Sequence, residues 1–376
     1  MNRNVPARKI WPAISLCIIE RNILLGANTD ARQDSWICMA IATVAGLLFA
    51  WLFSAVLRLH PGKNMFDIFV EEFGNIGGKI VCVLYTAYAS YLGARVFSIC
   101  NNFIRIVNLD ETPTAAIILF SAPLIAGVVK CGLRNMADCS KPLFLLLLIM
   151  TGITILLGLN FMDFGNIQPI LETKPDVLMS TSFEYLLLAF GETVLCMSFF
   201  SEVDKRENPF HMFAKSILIA GFFLTVIILR NILLVGASTA DLFLFTSFDA
   251  VGIISLGDFV TRISVIVGVE QTLTGIAKIG LCTYSGALGL AKALDIKHAL
   301  HLAAPLCALM SALSFTLYHN VLTEFEFERY LVLISVPFQI ILPLAVLITG
   351  KIKQKSKKKK TAAKKAAAVR VPAPEE

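Results

Sequence analysis

The chain has 376 residues, 56% of them hydrophobic and 16% charged, with a mean hydropathy of +0.74. Soluble domains carry about 25% charged residues, so a soluble globular fold is excluded. The net charge of +6 lies in the stretch from Lys351 on, which holds 10 of the 33 Lys and Arg and 2 of the 27 Asp and Glu, so the rest of the chain is slightly acidic and gives no sign of nucleic-acid binding.

Ten candidate membrane-spanning helices follow one another, at about residues 11–29, 36–57, 78–104, 113–130, 140–161, 181–201, 212–236, 253–284, 299–318 and 330–350. The runs 38–57 and 142–162 carry no charge over 20 and 21 positions, the length a spanning helix needs. The first apolar run follows Arg3, Arg8 and Lys9, as a signal peptide would. Glu20, Arg21 and Asn22 interrupt it and no small-residue cleavage motif follows, so a retained first helix is expected. Lys and Arg gather before helix 1 and after helices 2, 4, 6 and 8, among them Arg58, Lys130, Lys205 and Lys292. The opposite loops carry Asp30, Asp163, Glu172, Asp249, Glu324, Glu326 and Glu328. The positive-inside bias then puts both termini in the cytoplasm. One ten-helix domain is expected over 1–350, followed by a basic, disordered cytoplasmic tail over 351–376 that can meet anionic lipid.

The nine cysteines are scattered without Zn-ligand or redox spacing. The five histidines form no cluster, and there is neither a phosphate-cradling glycine loop nor a nucleophile–base arrangement. No enzyme, metal or cofactor is therefore expected.

Function is sought where the bilayer is made to hold polar groups, because an ionisable residue inside a span is costly. Four helices do so. Helix 1 reads IIERNILLGANTD, with Glu20, Arg21, Asn22 and Gly26; it either snorkels from a tilted helix or unwinds locally around 20–28. Helix 3 places Tyr85, Tyr88, Arg95 and Asn102 at intervals of 3, 7 and 7, one stripe at 3.6 residues per turn. Helix 6 reads SFEYLLLAFGETVLCMSFF, with Glu184 near its outer end and Gly191 and Glu192 near the midplane. A carboxylate there is protonated, paired or facing water, and Arg95 is a candidate partner. Helix 8 holds Asp258 and Arg262 four apart, then Glu270 and Gln271 deeper.

Helices 1, 3, 6 and 8 correspond if ten helices form two inverted halves of five. In such transporters the broken first helix of each half holds substrate at the midplane. Helices 1 and 6 are accordingly expected to be broken, with Gly191 and Glu192 at the second break.

The segments ARQDSWI (31–37), LHPGKNMFDIF (59–69), LDETPTAAI (109–117), CGLRNMADCSKPLF (131–144) and NIQPIL (166–171) resemble, in order and spacing, the bacterial spore germination permeases. These are the B subunits of germinant receptors, within the amino acid–polyamine–organocation transporter superfamily. The likeness runs over about 13–350. It implies an all-α, leucine-transporter-like membrane fold of ten helices. It also implies a role in sensing a small germinant, often an amino acid, at the spore inner membrane, with A and C subunits as partners. In the family the helix 6 Gly-Glu, here Gly191 and Glu192, helps line the ligand pocket. FVTRIS (259–264) resembles a helix 8 segment that typically reads Arg-Ile-Glu; Arg262 matches, and Ser264 stands in the glutamate's place unless Glu270 substitutes for it. The candidate ligand-contacting residues are therefore Asn22, Gly26, Tyr88, Arg95, Gly191, Glu192, Arg262 and Glu270. A receptor subunit, a coupled amino acid permease and a structural subunit with a vestigial pocket all fit these residues.

Overall fold

Each of the ten predicted spans overlaps a helix. The computed structural model describes residues 5–26, 30–107, 113–240, 242–254, 263–318 and 321–368. Among them run α1 (Ala7–Leu25), α2 (Ser35–Leu59), α3 (Met65–Val107), α4 (Thr114–Lys130), α5 (Leu133–Gly158), α6 (Pro175–Tyr185), α7 (Pro209–Val235), the short α8 (Ala237–Ala240) and α9 (Thr246–Gly252), α10 (Val265–Ala293), α11 (Ala303–Ser314), α12 (Val321–Val336) and α13 (Leu342–Ala368). Seven helices among the described residues are long and apolar enough to cross a membrane. The others that match predicted spans are α4 and α11, which are shorter, and α1, which carries Glu20 and Arg21. The protein is an all-helical, multi-pass membrane protein.

α10 packs along α3, and α1 lies against both α10 and α7. The loops close both ends. At one end the Val5 amide donates to the Glu202 carbonyl at 2.8 Å and the Asp204 amide to the Val5 carbonyl at 3.1 Å. Lys292 pairs with Asp67 at 2.5 Å at this end. At the other end Asp34 accepts from the Leu171 amide at 2.8 Å and the Thr173 amide at 3.0 Å. The basic loops and the acidic loops thus gather at opposite ends, as the charge alternation requires.

Five expectations change. First, α1 is continuous through Glu20, Arg21 and Asn22 and stops at Gly26, whose φ is 65°; no break lies inside it, and Glu20 and Arg21 find ion-pair partners across the bundle. Second, helix 3 begins at Met65, and the chain turns at Gly74, where φ is 79° and ψ 176°. That left-handed conformation suits a residue without a Cβ, and it folds the first turns back on the span. Third, helix 8 begins at Val265, with the separate α9 ahead of it; Asp258 and Arg262 lie outside the described residues. Fourth, Glu324 and Glu328 belong to α12 rather than to a loop, since their inward faces are paired. Fifth, helix continues past Gly350 to Ala368, through a Lys- and Ala-rich stretch of good helix formers. Lys353 there donates to the carbonyls of Glu71 at 3.0 Å and Glu72 at 2.8 Å, next to the Gly74 turn.

Candidate functional site

The sixth span keeps its course but changes its winding. After α6 it runs as π-helical turns over Leu186–Phe190 and then as a 3-10 helix over Gly191–Glu202. Runs of 3-10 helix beyond 3–4 residues are uncommon, and π turns concentrate at functional sites. The expected break at Gly191 is therefore a change of pitch. A close contact lies at this point: a Cβ on Gly191 would lie 1.9 Å from Gln339 Oε1. Gln339 sits on a second π-helical stretch, Pro337–Ile341, between α12 and α13. A wide turn leaves carbonyls without helical partners, and the Tyr85 hydroxyl donates to that of Phe338.

The helix 3 stripe reads against this last helix. Tyr88 stacks on Phe338 at 4.4 Å, donates to Ser335 Oγ at 3.2 Å, and accepts from Gln339 Nε2 at 2.9 Å. Arg95 Nη1 reaches Glu328 at 3.3 Å, and its Nη2 lies 3.8 Å from Glu192. Asn102 donates to Ser98 Oγ at 3.3 Å.

Glu192 faces a cation that the sequence reading passed over. Lys278 of α10 puts its Nζ 2.6 Å from Glu192 Oε2 and 3.0 Å from Glu20 Oε2. Relative exposures of 3%, 5% and 1% for the three side chains take them out of solvent. These are ion pairs by distance whose angles fall short of hydrogen-bond geometry, so the oxygens Glu20 Oε2 and Glu192 Oε1 and Oε2 are left without a hydrogen bond. The chain of charges continues. Arg21 grips Glu328 with Nε at 3.1 Å and Nη2 at 2.5 Å, and its Nη2 meets Glu184 at 3.1 Å. In order along the bundle the signs alternate: Glu20, Lys278, Glu192, Arg95, Glu328, Arg21, Glu184. Four carboxylates face three cations, an excess of one negative charge. Beside Arg95, Glu324 accepts from Ser98 Oγ at 3.1 Å.

Leaving one such buried charge without its partner costs about 3–5 kcal/mol, which is why the chain runs unbroken from α1 to α12. A cavity of about 10 Å³ touches Glu192, Lys278, Thr193 and Cys17. That is room for about one water. A larger ligand enters only by displacing side chains.

The predicted site residues divide. Tyr88, Arg95, Gly191 and Glu192 share this cluster, and Asn22 joins through its Oδ1, 3.4 Å from Arg21 Nη1. Glu270 does not. It accepts from Thr151 Oγ1 at 2.6 Å, in a second buried cluster with Arg230. Arg230 donates to Thr154 at 2.7 Å and Asn231 at 2.7 Å, and Asn231 donates to Ser247 at 2.8 Å. Gly26 lies here, with the position of its missing Cβ 2.3 Å from Asn231 Nδ2. Glu270 thus lies away from Glu192: one residue's rotation on α10 turns Gln271, not Glu270, toward Glu20 at 3.3 Å. Arg262 is outside the described residues.

Lys278, Glu328, Gln339 and Arg230 were missed. Lys278 was legible: it is a lysine inside a span, seven residues after Gln271 and so on the same helix face. Arg230 stands in an apolar run in the same way. Glu328 and Gln339 carry no such signal, since neither α12's start nor a π turn shows in hydropathy.

A family model for spore germination proteins matches residues 4–321 of this chain. Spore germination protein KB of Bacillus subtilis strain 168 is 22% identical over 360 residues, 94% of this chain and 96% of the relative. The putative spore germination protein YfkT of the same organism is 24% identical over 330 residues, 86% and 89% of the two chains. Its spore germination protein A2 is 26% identical over 259 residues, 63% and 66%.

Proposed function

The chain belongs to the spore germination permease family, and on that premise we propose that it is the membrane subunit of a germinant receptor that binds an α-amino acid within the alternating charges around Glu192. The observation that carries this reading is Lys278 seated between Glu20 and Glu192, with Arg95 beyond. A dry site holding both signs suits a zwitterion. The ligand ammonium takes a place against Glu192 and Glu20, and its carboxylate takes one against Lys278 and Arg95. Because the ligand brings one charge of each sign, each protein group that loses an internal partner gains an equivalent one. No net charge is added to a place where an unpaired charge is expensive. Without ligand the protein's own groups pair, which accounts for a cavity of only about 10 Å³.

Under the same proposal the ten helices form two inverted halves. The site is then assembled by the first and third helix of each half: α1, α3, the 186–202 segment and α10. Both termini face the cytoplasm from the spore inner membrane, A and C subunits receive the signal, and the basic segment from Lys351 on, which continues α13, lies along anionic headgroups. Transport of the same amino acid is the second reading. What favours it is the π and 3-10 winding of 186–202, which gives that span a place to bend.

Proteoliposomes of the full chain, offered a panel of labelled amino acids, test both. Saturable binding without accumulation supports the receptor, accumulation supports the permease, and failure of every amino acid to bind sinks the proposal. Glu192→Gln is expected to weaken binding tenfold or more, about 1.4 kcal/mol, with membrane abundance near the unaltered level. Unchanged binding removes Glu192 from the site.

A further inference from the structure

A histidine and two glutamates meet where the basic loops gather. His60 follows the last turn of α2, and its amide donates to the Leu57 carbonyl at 3.2 Å. Glu71 and Glu72 stand in the first turns of α3, just before the chain turns at Gly74. His60 Nε2 is 3.1 Å from Glu72 Oε1 and 3.8 Å from Glu71 Oε2. One ligand-capable atom from each of the three residues lies within 4.8 Å of the others. Around a tetrahedral zinc ion with bonds of about 2.0–2.1 Å, ligand atoms stand about 3.3 Å apart. Small shifts would close the group on one ion.

Two observations point to a cation rather than to a self-contained ion pair. The first is the setting of His60. Its other ring nitrogen, Nδ1, is 3.1 Å from the Val56 carbonyl. Both nitrogens thus face acceptors, and a neutral ring has a proton for just one of them. With that proton on Nδ1, Nε2 turns its lone pair to the two carboxylates. Metal-ligating histidines are held in this way, the far nitrogen donating to a carbonyl or carboxylate. The second is Glu72. Its side chain is 3% exposed, yet Oε2 is buried without a hydrogen bond. Lys353 Nζ approaches that oxygen to 3.3 Å as an ion pair by distance, and Lys63 Nζ lies 2.9 Å from Glu71 Oε2. The two lysine side chains are 48% and 43% exposed, so each can leave for water, and exposed pairs of this kind contribute little.

We infer that His60, Glu71 and Glu72 form a binding site for a divalent transition-metal cation, Zn²⁺. An imidazole among the ligands argues against Mg²⁺ and Ca²⁺, which take oxygen ligands. The ion's two charges replace those of Lys63 and Lys353, so the exchange leaves the balance of charge unaltered. Three protein ligands leave a fourth position for water, on the side where Glu71 is exposed. The ion and Lys353 compete for Glu72 Oε2, so the metal loosens the hold of the basic segment after Gly350 on the turn at Gly74. The histidines are scattered along the sequence and the site uses one of them, which is why spacing does not show it.

The test titrates Zn²⁺ into the full chain, purified in detergent and stripped with a chelator, by calorimetry and thermal unfolding. One equivalent is expected to bind and to raise the unfolding temperature, and Mg²⁺ to do neither. Glu71→Gln, at an exposed position, should weaken binding about tenfold or more with membrane abundance unchanged. Lys63→Met with Lys353→Met should tighten it about threefold or more, because the competing ammonium groups are gone. X-ray absorption at the zinc edge should show nitrogen and oxygen neighbours without sulfur. Absence of binding overturns the inference, and so does affinity that Glu71→Gln leaves unchanged. Sulfur neighbours overturn it by giving the ion to the exposed Cys131 or Cys139, and loss of binding in His298→Ala with His301→Ala gives it to that exposed pair. Weaker binding in the double lysine variant also counts against it. If Glu71→Gln fails to accumulate, the lysine variant and the absorption edge decide, since both keep the three ligands intact.

Discussion

Lys278 Nζ lies 2.6 Å from Glu192 Oε2, and the same ammonium is 3.0 Å from Glu20 Oε2. One cation from α10 thereby joins α1 to the 3-10 segment of the sixth span. Each of the three groups would be costly alone in a dry interior, and each is tolerable because of the other two.

Removing the cation should therefore hurt more than removing cation and anion together. Lys278→Met leaves two buried carboxylates facing each other and is expected to destabilise by about 3–5 kcal/mol. Lys278→Met combined with Glu192→Gln should recover much of that loss. Thermal unfolding of the detergent-solubilised protein measures both. Additive losses would show that Lys278 and Glu192 are not energetically paired.

Gly191 carries a different constraint. A Cβ there would sit 1.9 Å from Gln339 Oε1 and 2.5 Å from its Cδ, so Gly191→Ala must displace the buried Gln339 side chain, whose Nε2 donates to the Tyr88 hydroxyl. Overpacking of this kind costs about 1–3 kcal/mol. Gln339→Ala, in the same chain as Gly191→Ala, should restore the unfolding temperature of Gln339→Ala alone. If Gly191→Ala is harmless by itself, the Gln339 side chain yields at no cost and the contact constrains nothing.

By sequence the segment from Lys351 on is a disordered tail, separate from the folded domain. Lys353 alters that expectation at one position, since it donates to the carbonyls of Glu71 and Glu72 and lies 3.3 Å from Glu72 Oε2. Its side chain is 48% exposed, so water screens the pair and the contribution is modest, about 0.5–1.5 kcal/mol from the hydrogen bonds. Truncation after Ser356 should leave the unfolding temperature unchanged, whereas truncation after Gly350 should lower it by a few degrees. Identical values for the two truncations would mean that Lys353 holds nothing.

Topology is open to direct labelling. Lys174 precedes α6 on an exposed loop, at the end opposite the basic loops. With the native cysteines replaced, Lys174→Cys should react with an impermeant thiol reagent from outside the cell. Reaction only after permeabilisation would reverse the proposed orientation.

Residue order alone determined the membrane class and placed ten candidate segments that each overlap a described helix, because hydrocarbon admits only long apolar stretches and one span needs about 20 residues. The same rule exposed Arg95 and Glu192, since a charge stands out where charges are expensive. What each charge pairs with was decided only by the tertiary structure. Glu270 and Gln271 are neighbours in sequence, yet a helix turns successive side chains to different faces. Gln271 reaches Glu20 at 3.3 Å, while Glu270 takes Thr151 at 2.6 Å in another cluster. Glu328 looked like a loop residue until α12 brought it to Arg21 and Arg95. The close approach at Gly191 is to Gln339, 148 positions further along the chain. Hydropathy is a property of a segment and can be read along it. Ion pairing and close packing join segments distant in sequence, and they exist only once the helices are set side by side.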